Sequence, residues 1–231
     1  IIPHNEDFEG LEDYLKFLES IGVDAIIVAD MGIFSLAKRV APGLELHVST
    51  QASTTNWHTV QMWKELGATR VVAAREVSLA DLKEMKDHVD IEIESFVHGS
   101  MCISYSGRCL LSNYMTGNRD ANRGQCSQSC RWKYSLVESN RPGEYYPIEE
   151  DEHGTYIFNS KDLCLIHRIP DLYEAGIDSL KIEGRMKSVH YCATVAKVYR
   201  TAIDTYLKEG KDWYVRPEWI AELEKISHRP Y

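Results

Sequence analysis

The sequence predicts an α/β protein, a TIM-like β/α barrel interrupted by a cysteine-rich insertion that contains a β-hairpin. Three observations carry this reading. Strand-like and helix-like segments alternate, with strands recurring roughly every 20 to 25 residues. Polar residues gather at the carboxyl ends of the strands, where β/α folds bind ligands. The alternation stops at Gly99 and resumes near residue 160, and five of the six cysteines lie between Cys102 and Cys164.

Residues 11–21 follow a helical period and end at Gly22. A short β-branched strand is expected over 25–28, closed by Ala29 and Asp30. Helices over 31–40 and 56–66 stop at Pro42 and Gly67, with a strand at 44–48 between them. A strand at 70–74 precedes a helix that Ser78 caps and that runs to His88, and 91–97 is the next strand. Beyond Gly99, the arms of the hairpin are expected at 132–137 and 155–158, joined by an acidic stretch at 149–152. The β/α pattern returns as a helix over 163–175, a strand over 179–182, a long helix over 189–207 and a short one over 219–226. Three regions result: β/α units in 1–98, the insertion in 99–159, and a returning unit with terminal helices in 160–231.

Counting Ile1 and Ile2 as a remnant, six strands fit the main pattern, whereas a closed barrel needs eight. The chain begins with Ile, not Met, so the expectation is that the first strands lie outside it. An open parallel sheet is the alternative architecture.

The net charge of −9 argues against a generally basic nucleic-acid-binding surface. The charge is uneven, however. From Gly99 to Tyr134 the five basic residues Arg108, Arg119, Arg123, Arg131 and Lys133 face the single acid Asp120, a local charge of +4. An anionic ligand near the cysteines fits that region, as do a few solvated arginines. No apolar run approaches the ~18 residues of a membrane span, and no signal-peptide pattern is visible. A cytoplasmic protein without membrane contact is expected, and in that reducing compartment clustered cysteines point to a metal or cluster site.

The strand ends supply the candidate pocket: His47, Gln51, Arg75, Glu76 and Arg185 for binding, and Glu94, His98 and Glu183 for proton transfer. Asp30 and Ser49 belong to the same row. Either Arg75 or Arg185 offers a bidentate partner for a carboxylate. Cys102, Cys109, Cys126, Cys130 and Cys164 supply thiols, while Cys192 fits the core of a helix. Four thiolates hold an iron–sulfur cluster. Structural zinc is the competing metal, but only Cys126 and Cys130 have the close spacing usual in zinc sites.

The segments Glu94-Ser95-Phe96-Val97-His98-Gly99-Ser100-Met101-Cys102 and Ser106-Gly107-Arg108-Cys109-Leu110-Leu111-Ser112 resemble the signature of the collagenase-like peptidase family U-32. Arg123-Gly124-Gln125-Cys126, Asn159-Ser160-Lys161-Asp162-Leu163, Lys181-Ile182-Glu183-Gly184-Arg185-Met186-Lys187 and His47-Val48-Ser49-Thr50-Gln51 are similar to further segments of it. The resemblance spans nearly the whole chain. It implies a 4Fe–4S protein of oxygen-independent hydroxylation, acting on tRNA wobble uridine, ribosomal RNA cytidine or a quinone precursor, with prephenate as hydroxyl donor to RNA. The motif order most resembles the branch that makes 5-hydroxyuridine in tRNA. The family's cysteine gaps assign Cys102, Cys109, Cys126 and Cys164 as ligands, with Cys130 as the rival for the fourth place.

Two other functions compete. The family name implies a peptidase, but neither His-Glu-x-x-His nor Gly-x-Ser-x-Gly is present. Cys102 with His98 is the remaining nucleophile–base pair, and ligation of a cluster by Cys102 excludes it. A non-catalytic RNA- or protein-binding module with a structural metal is the third reading. The acidic balance and the row of polar strand ends count against it.

Overall fold

The computed structural model describes residues 2–102, 104–106, 108–132, 135–136, 139–143, 146–147, 161–228 and 231. Helix α1 (Leu11–Ser20) leads into strand β1 (Ala25–Val28), followed by α2 (Met31–Val40), β2 (Glu45–Val48), α3 (Trp57–Leu66), β3 (Arg70–Val72), α4 (Leu79–His88) and β4 (Glu92–Ser100). Side chains start the helices: Asp30, Asn56 and Ser78 each accept a backbone N–H from the first turn of α2, α3 and α4. The expected segments of this half form with only small differences at their ends.

The insertion contains the short helix α5 (Leu111–Thr116) and a two-residue antiparallel ladder of β5 (Ser135–Leu136) with β6 (Tyr146–Pro147). The second hairpin arm expected at 155–158 lies outside the described residues. Strand β7 (Asp162–Cys164), α6 (Ile169–Glu174), β8 (Ser179–Glu183), α7 (Val189–Glu209) and α8 (Pro217–Glu224) complete the chain. Here one expectation is corrected. Residues 163–175 were expected to form one helix, but 162–164 extend as β7 and the helix starts only at Ile169. Backbone pairing of β7 with the end of β4 overrides the local helical spacing.

The sheet runs β1-β2-β3-β4-β8, all parallel, with β7 antiparallel to residues 98–100 of β4. Among the described residues β1 pairs only with β2, and β8 only with β4. The described strands therefore make an open, mostly parallel sheet; the barrel, expected to lack its first strands in this chain, is not closed among them. Of the remnant strand expected at the start, Ile2 lies outside the sheet and Ile1 lies outside the described residues. Among the described residues no helix is long and apolar enough to cross a membrane.

The two faces of the sheet differ. Leu46, Val48, Val71, Ala73 and Ile93 point to one core shared with α1–α4. Val97 joins a second core with α6, α7 and α8. Alternation sends His47, Arg70, Glu94, Phe96, Lys181 and Glu183 to the opposite face. There Arg70 pairs with Glu92 and Glu94, and Lys181 pairs with Glu94 at 2.6 Å.

The alternation breaks in β4. The pairing with β8 shifts register between Phe96 and His98, a β-bulge at Val97. The bulge sends both Val97 and His98 toward α7. The Tyr199 hydroxyl locks it, donating to the Val97 carbonyl at 2.8 Å and accepting from the Leu165 N–H at 3.1 Å. Gly99 follows with φ +114°, and a Cβ there would stand 2.3 Å from the Glu183 carbonyl oxygen. Only glycine fits this position.

His98 is fully buried among the rings of Tyr191, Tyr199 and Tyr231. Burial pushes its pKa down to about 4, aided by His228 and Lys187 and opposed by Asp162.

Two predictions follow from the bulge. Gly99→Ala destabilises the fold by about 2 kcal/mol or more, because strain and a backbone clash coincide. Gly117→Ala, at φ +77° in open space, costs about 1 kcal/mol. Urea denaturation of both variants checks the contrast. The folded-state pKa of His98 is depressed, so its contribution is complete above pH 6.5 and is lost as pH falls toward about 4. Unfolding free energy therefore drops over that range by on the order of 2–3 kcal/mol more in the wild type than in His98→Leu. Parallel pH profiles for the two proteins contradict the assignment of His98 as a buried neutral ring.

Candidate functional site

At the carboxyl ends of the strands lies a cavity of about 530 Å³. The sheet supplies its floor through Ile27, Val72, Phe96 and Lys181. The end of β8 supplies Glu183, and the turns after the strands supply Ser49, Thr50, Gln51, Arg75, Met101, Arg185 and Met186. The insertion closes the third side with Cys109, Gly124, Cys126, Gln128, Cys130 and Arg131. Cys102 lines the same cavity, so four thiols share one space.

Arg75 organises this space. One of its terminal nitrogens donates to the Ser106 hydroxyl at 3.0 Å and lies 3.8 Å from the Cys102 sulfur, while the other donates to Glu183 at 3.2 Å. Its guanidinium stacks over the Phe96 ring at 3.9 Å. A single cation thereby joins the end of β3, the cysteine loop and the end of β8. Burial pushes the Cys102 thiol pKa up, and Arg75 pulls it back. Nearby Cys126 and Cys109 raise it further, because their negative charge opposes another thiolate.

Glu183 holds the other side. One carboxylate oxygen binds Arg75 and the second accepts the Arg185 N–H at 3.0 Å. The Arg185 guanidinium reaches the cavity with no ion-pair partner among the described residues. The turn that carries it packs closely on α7. A Cβ on Gly184 would meet the Cys192 sulfur at 2.6 Å, so Cys192 serves packing there, as expected.

Three clasps hold the insertion in place. Arg123 forms a bidentate pair with Asp7 near the start of the chain, at 2.6 and 2.9 Å. Arg131 binds the fully buried Asp162 carboxylate at 3.0 Å, with Lys187 on its other oxygen at 3.7 Å. Ser112, buried on the inner side of α5, donates to the Arg119 carbonyl at 2.6 Å and accepts the Ser127 N–H at 2.8 Å.

The cavity thus brings together Gln51, Arg75, Arg185, Glu183, Cys102, Cys109 and Cys126 from the candidate residues. The other candidates stand elsewhere. His47 is buried on β2 with its ring nitrogen 3.4 Å from Glu45. Glu76 accepts the Ser106 N–H at 3.2 Å and faces a separate cleft. Glu94 sits in the ion-pair layer below the cavity. Burial opposes its charge, but Lys181, Ser179 and Arg70 outweigh that and hold its pKa below the usual carboxylate range. His98 faces the tyrosines of α7, so the bulge separates it from Cys102, which lines the cavity. Asp30 caps α2.

Cys164 is on β7, paired with His98, and its sulfur lies 3.9 Å from the Tyr199 hydroxyl in the second core. It does not line the cavity, whereas Cys130 does. Among the described residues no three His, Cys, Asp or Glu side chains are gathered closely enough to hold a metal ion. Lys181, Phe96, Ser106 and Arg131 belong to the site but were not among its expected residues. The two-residue alternation through Glu183 is the signal that finds Lys181. No local signal finds Ser106.

Comparison with known proteins follows the same lines. Relatives of the chain include tRNA hydroxylation protein P1 of Bacillus subtilis (strain 168), 53% identical over 229 residues, which cover 99% of this chain and 54% of that protein. The tRNA hydroxylation protein P of Escherichia coli (strain K12) is 40% identical over 271 residues, covering 100% of this chain and 59% of its own length. The 23S rRNA 5-hydroxycytidine C2501 synthase of the same organism is 36% identical over 211 residues, covering 91% of this chain and 31% of that enzyme. The chain spans little more than half the length of the first two. The model of peptidase family U32 matches residues 1–231, and the chain belongs to that family.

Proposed function

We propose that this chain is the cluster-bearing part of an enzyme that hydroxylates tRNA wobble uridine to 5-hydroxyuridine. The observation that carries the proposal is four thiols and three arginines on the wall of one cavity at the strand ends. The names of the relatives support an RNA nucleoside as substrate.

The donor set suits a 4Fe–4S cluster in its chemistry and its shared location. Cys102, Cys109 and Cys126 would supply three thiolates. Two residues compete for the fourth place: Cys164 by its spacing in the sequence, and Cys130 by its position on the cavity wall. Among the described residues no three His, Cys, Asp or Glu side chains are gathered closely enough to hold a metal ion, so the thiols would have to come closer together to hold a cluster. When bound, such a cluster supplies electron transfer or a Lewis-acidic iron.

The remaining residues have separable tasks. Arg75 is committed to Ser106, Glu183 and the Cys102 sulfur, and its charge offsets that of a thiolate. Arg185 is the cation available for a carboxylate of an anionic hydroxyl donor such as prephenate. Glu183 is the expected proton-transfer residue that reaches the cavity. Ile27, Phe96 and Met186 give a flat ring an apolar bed.

Nucleoside analysis of tRNA from a strain lacking the gene tests the function. The expected result is loss of 5-hydroxyuridine derivatives, restored by the wild type and not by Glu183→Gln or Cys102→Ser. Unchanged derivatives in a strain with no redundant pathway overturn the proposal. Anaerobic purification tests the cluster. Iron and acid-labile sulfide are expected in equal amounts, falling about 10-fold or more in Cys109→Ser or Cys126→Ser and unchanged in Cys192→Ser. Whichever of Cys130→Ser and Cys164→Ser loses iron identifies the fourth ligand. Stoichiometric zinc without iron removes the cluster from the proposal.

A further inference from the structure

Two neighbouring residues just after β3 grip the cysteine loop from two sides. Arg75 donates to the Ser106 hydroxyl at 3.0 Å, and the Glu76 carboxylate accepts the Ser106 N–H at 3.2 Å. Ser106 is 1% exposed and stands between Cys102 and Cys109 in the sequence. The loop that carries the first two thiols is therefore tied to the sheet by its own contacts.

The grip also aims the guanidinium. The terminal nitrogen that reaches Ser106 is the one that lies 3.8 Å from the Cys102 sulfur, while Glu183 holds the other at 3.2 Å. Phe96 covers one face of the guanidinium plane at 3.9 Å. These partners fix both the place and the tilt of the group. Its side chain is only 10% exposed, and its Nε is buried with no hydrogen-bond partner among the described residues. Arg75 is thus a sequestered cation held against one particular sulfur.

The contact changes in kind when that sulfur carries charge. A donor 3.8 Å from a neutral thiol is weakly bound, and a charged acceptor shortens and strengthens such a bond. The thiolate ligands of an iron–sulfur cluster are charged, and hydrogen bonds to their sulfurs help to set its reduction potential. A cluster gains negative charge when it takes an electron. A fixed cation with an N–H at one of its sulfurs therefore favours the reduced form.

We propose that Arg75 is a positioning residue of the cluster site: held by Ser106 and Glu183, it donates to the Cys102 sulfur and raises the reduction potential of the cluster bound there. The inference rests on the cluster-bearing reading proposed above and adds the residue that tunes the cluster. Cys102 is a ligand with either Cys130 or Cys164 in the fourth place, so the inference is independent of that choice.

Redox titration of the anaerobically purified chain, with dithionite as electron donor and electron paramagnetic resonance as readout, tests this. Arg75→Met removes the charge and the donor and shifts the midpoint to a more negative potential. Arg75→Lys keeps the charge without the planar fork and falls between that variant and the wild type. Ser106→Ala keeps the arginine but releases its aim, and shifts the midpoint in the same direction by less than Arg75→Met. Cys192→Ser leaves the midpoint unchanged. Iron and sulfide are measured on every variant. A wild-type or more positive midpoint in Ser106→Ala and in whatever cluster Arg75→Met retains overturns the inference and leaves the cluster reading intact. Complete loss of iron from both variants also overturns it, because the two residues then only anchor the loop. A wild type that holds no iron and sulfide removes the cluster reading, and the inference with it.

Discussion

The close approach of Gly99 to the backbone of Glu183 sets the geometry of the site. With no side chain between them, β4 and β8 run side by side to their carboxyl ends. Cys102 then leaves the sheet three residues later, opposite the turn that carries Glu183 and Arg185. The bulge just before Gly99 turns His98 into the tyrosine layer and commits that ring to packing. One irregularity therefore decides which polar groups at the strand end face the cavity and which belong to the core.

Charges on the concave face form two levels. Glu94 with Arg70 and Lys181 makes a lower level of paired ions whose role is structural. Arg75 and Glu183 make an upper level, linked to the cysteine loop through Ser106 and to Phe96 through the guanidinium face. Behind the sheet, the buried Asp162 carboxylate draws Arg131 from the insertion and Lys187 from the start of α7 toward one point. Removing either cation would leave buried charge poorly compensated, so the insertion is anchored by a contact that is costly to break.

The first half of the fold was legible because its signals are local. Apolar alternation, Ser78 as a cap and Gly67 as a stop are each read within a few residues, whereas Asp30, placed in the pocket row, and Asn56, taken as the first helical residue, prove to be caps. Strand β7 was not legible, because the spacing of apolar residues after Leu163 suits a helix and the deciding partner, β4, lies more than 60 residues earlier. The same limit explains the site. Gln51, Arg75, Glu183 and Arg185 sit at strand ends whose direction follows from the β/α pattern. His98 and Cys164 depend on a bulge and a cross-strand pairing that leave no mark in composition or spacing.

The join between β4 and β8 also separates two demands on the chain. Glu94 and Ser179, hydrogen-bonded across it at 2.8 Å, are 85 residues apart in sequence. Closing a connection of that length is entropically expensive, but the cost grows only logarithmically. Doubling it adds about 0.6 kcal/mol. The intervening stretch can thus lengthen or shorten at little thermodynamic cost, as long as Gly99, the bulge and the Glu183 turn are kept. Evolution can remodel the substrate-facing surface in that stretch while the chemistry at its base stays in place.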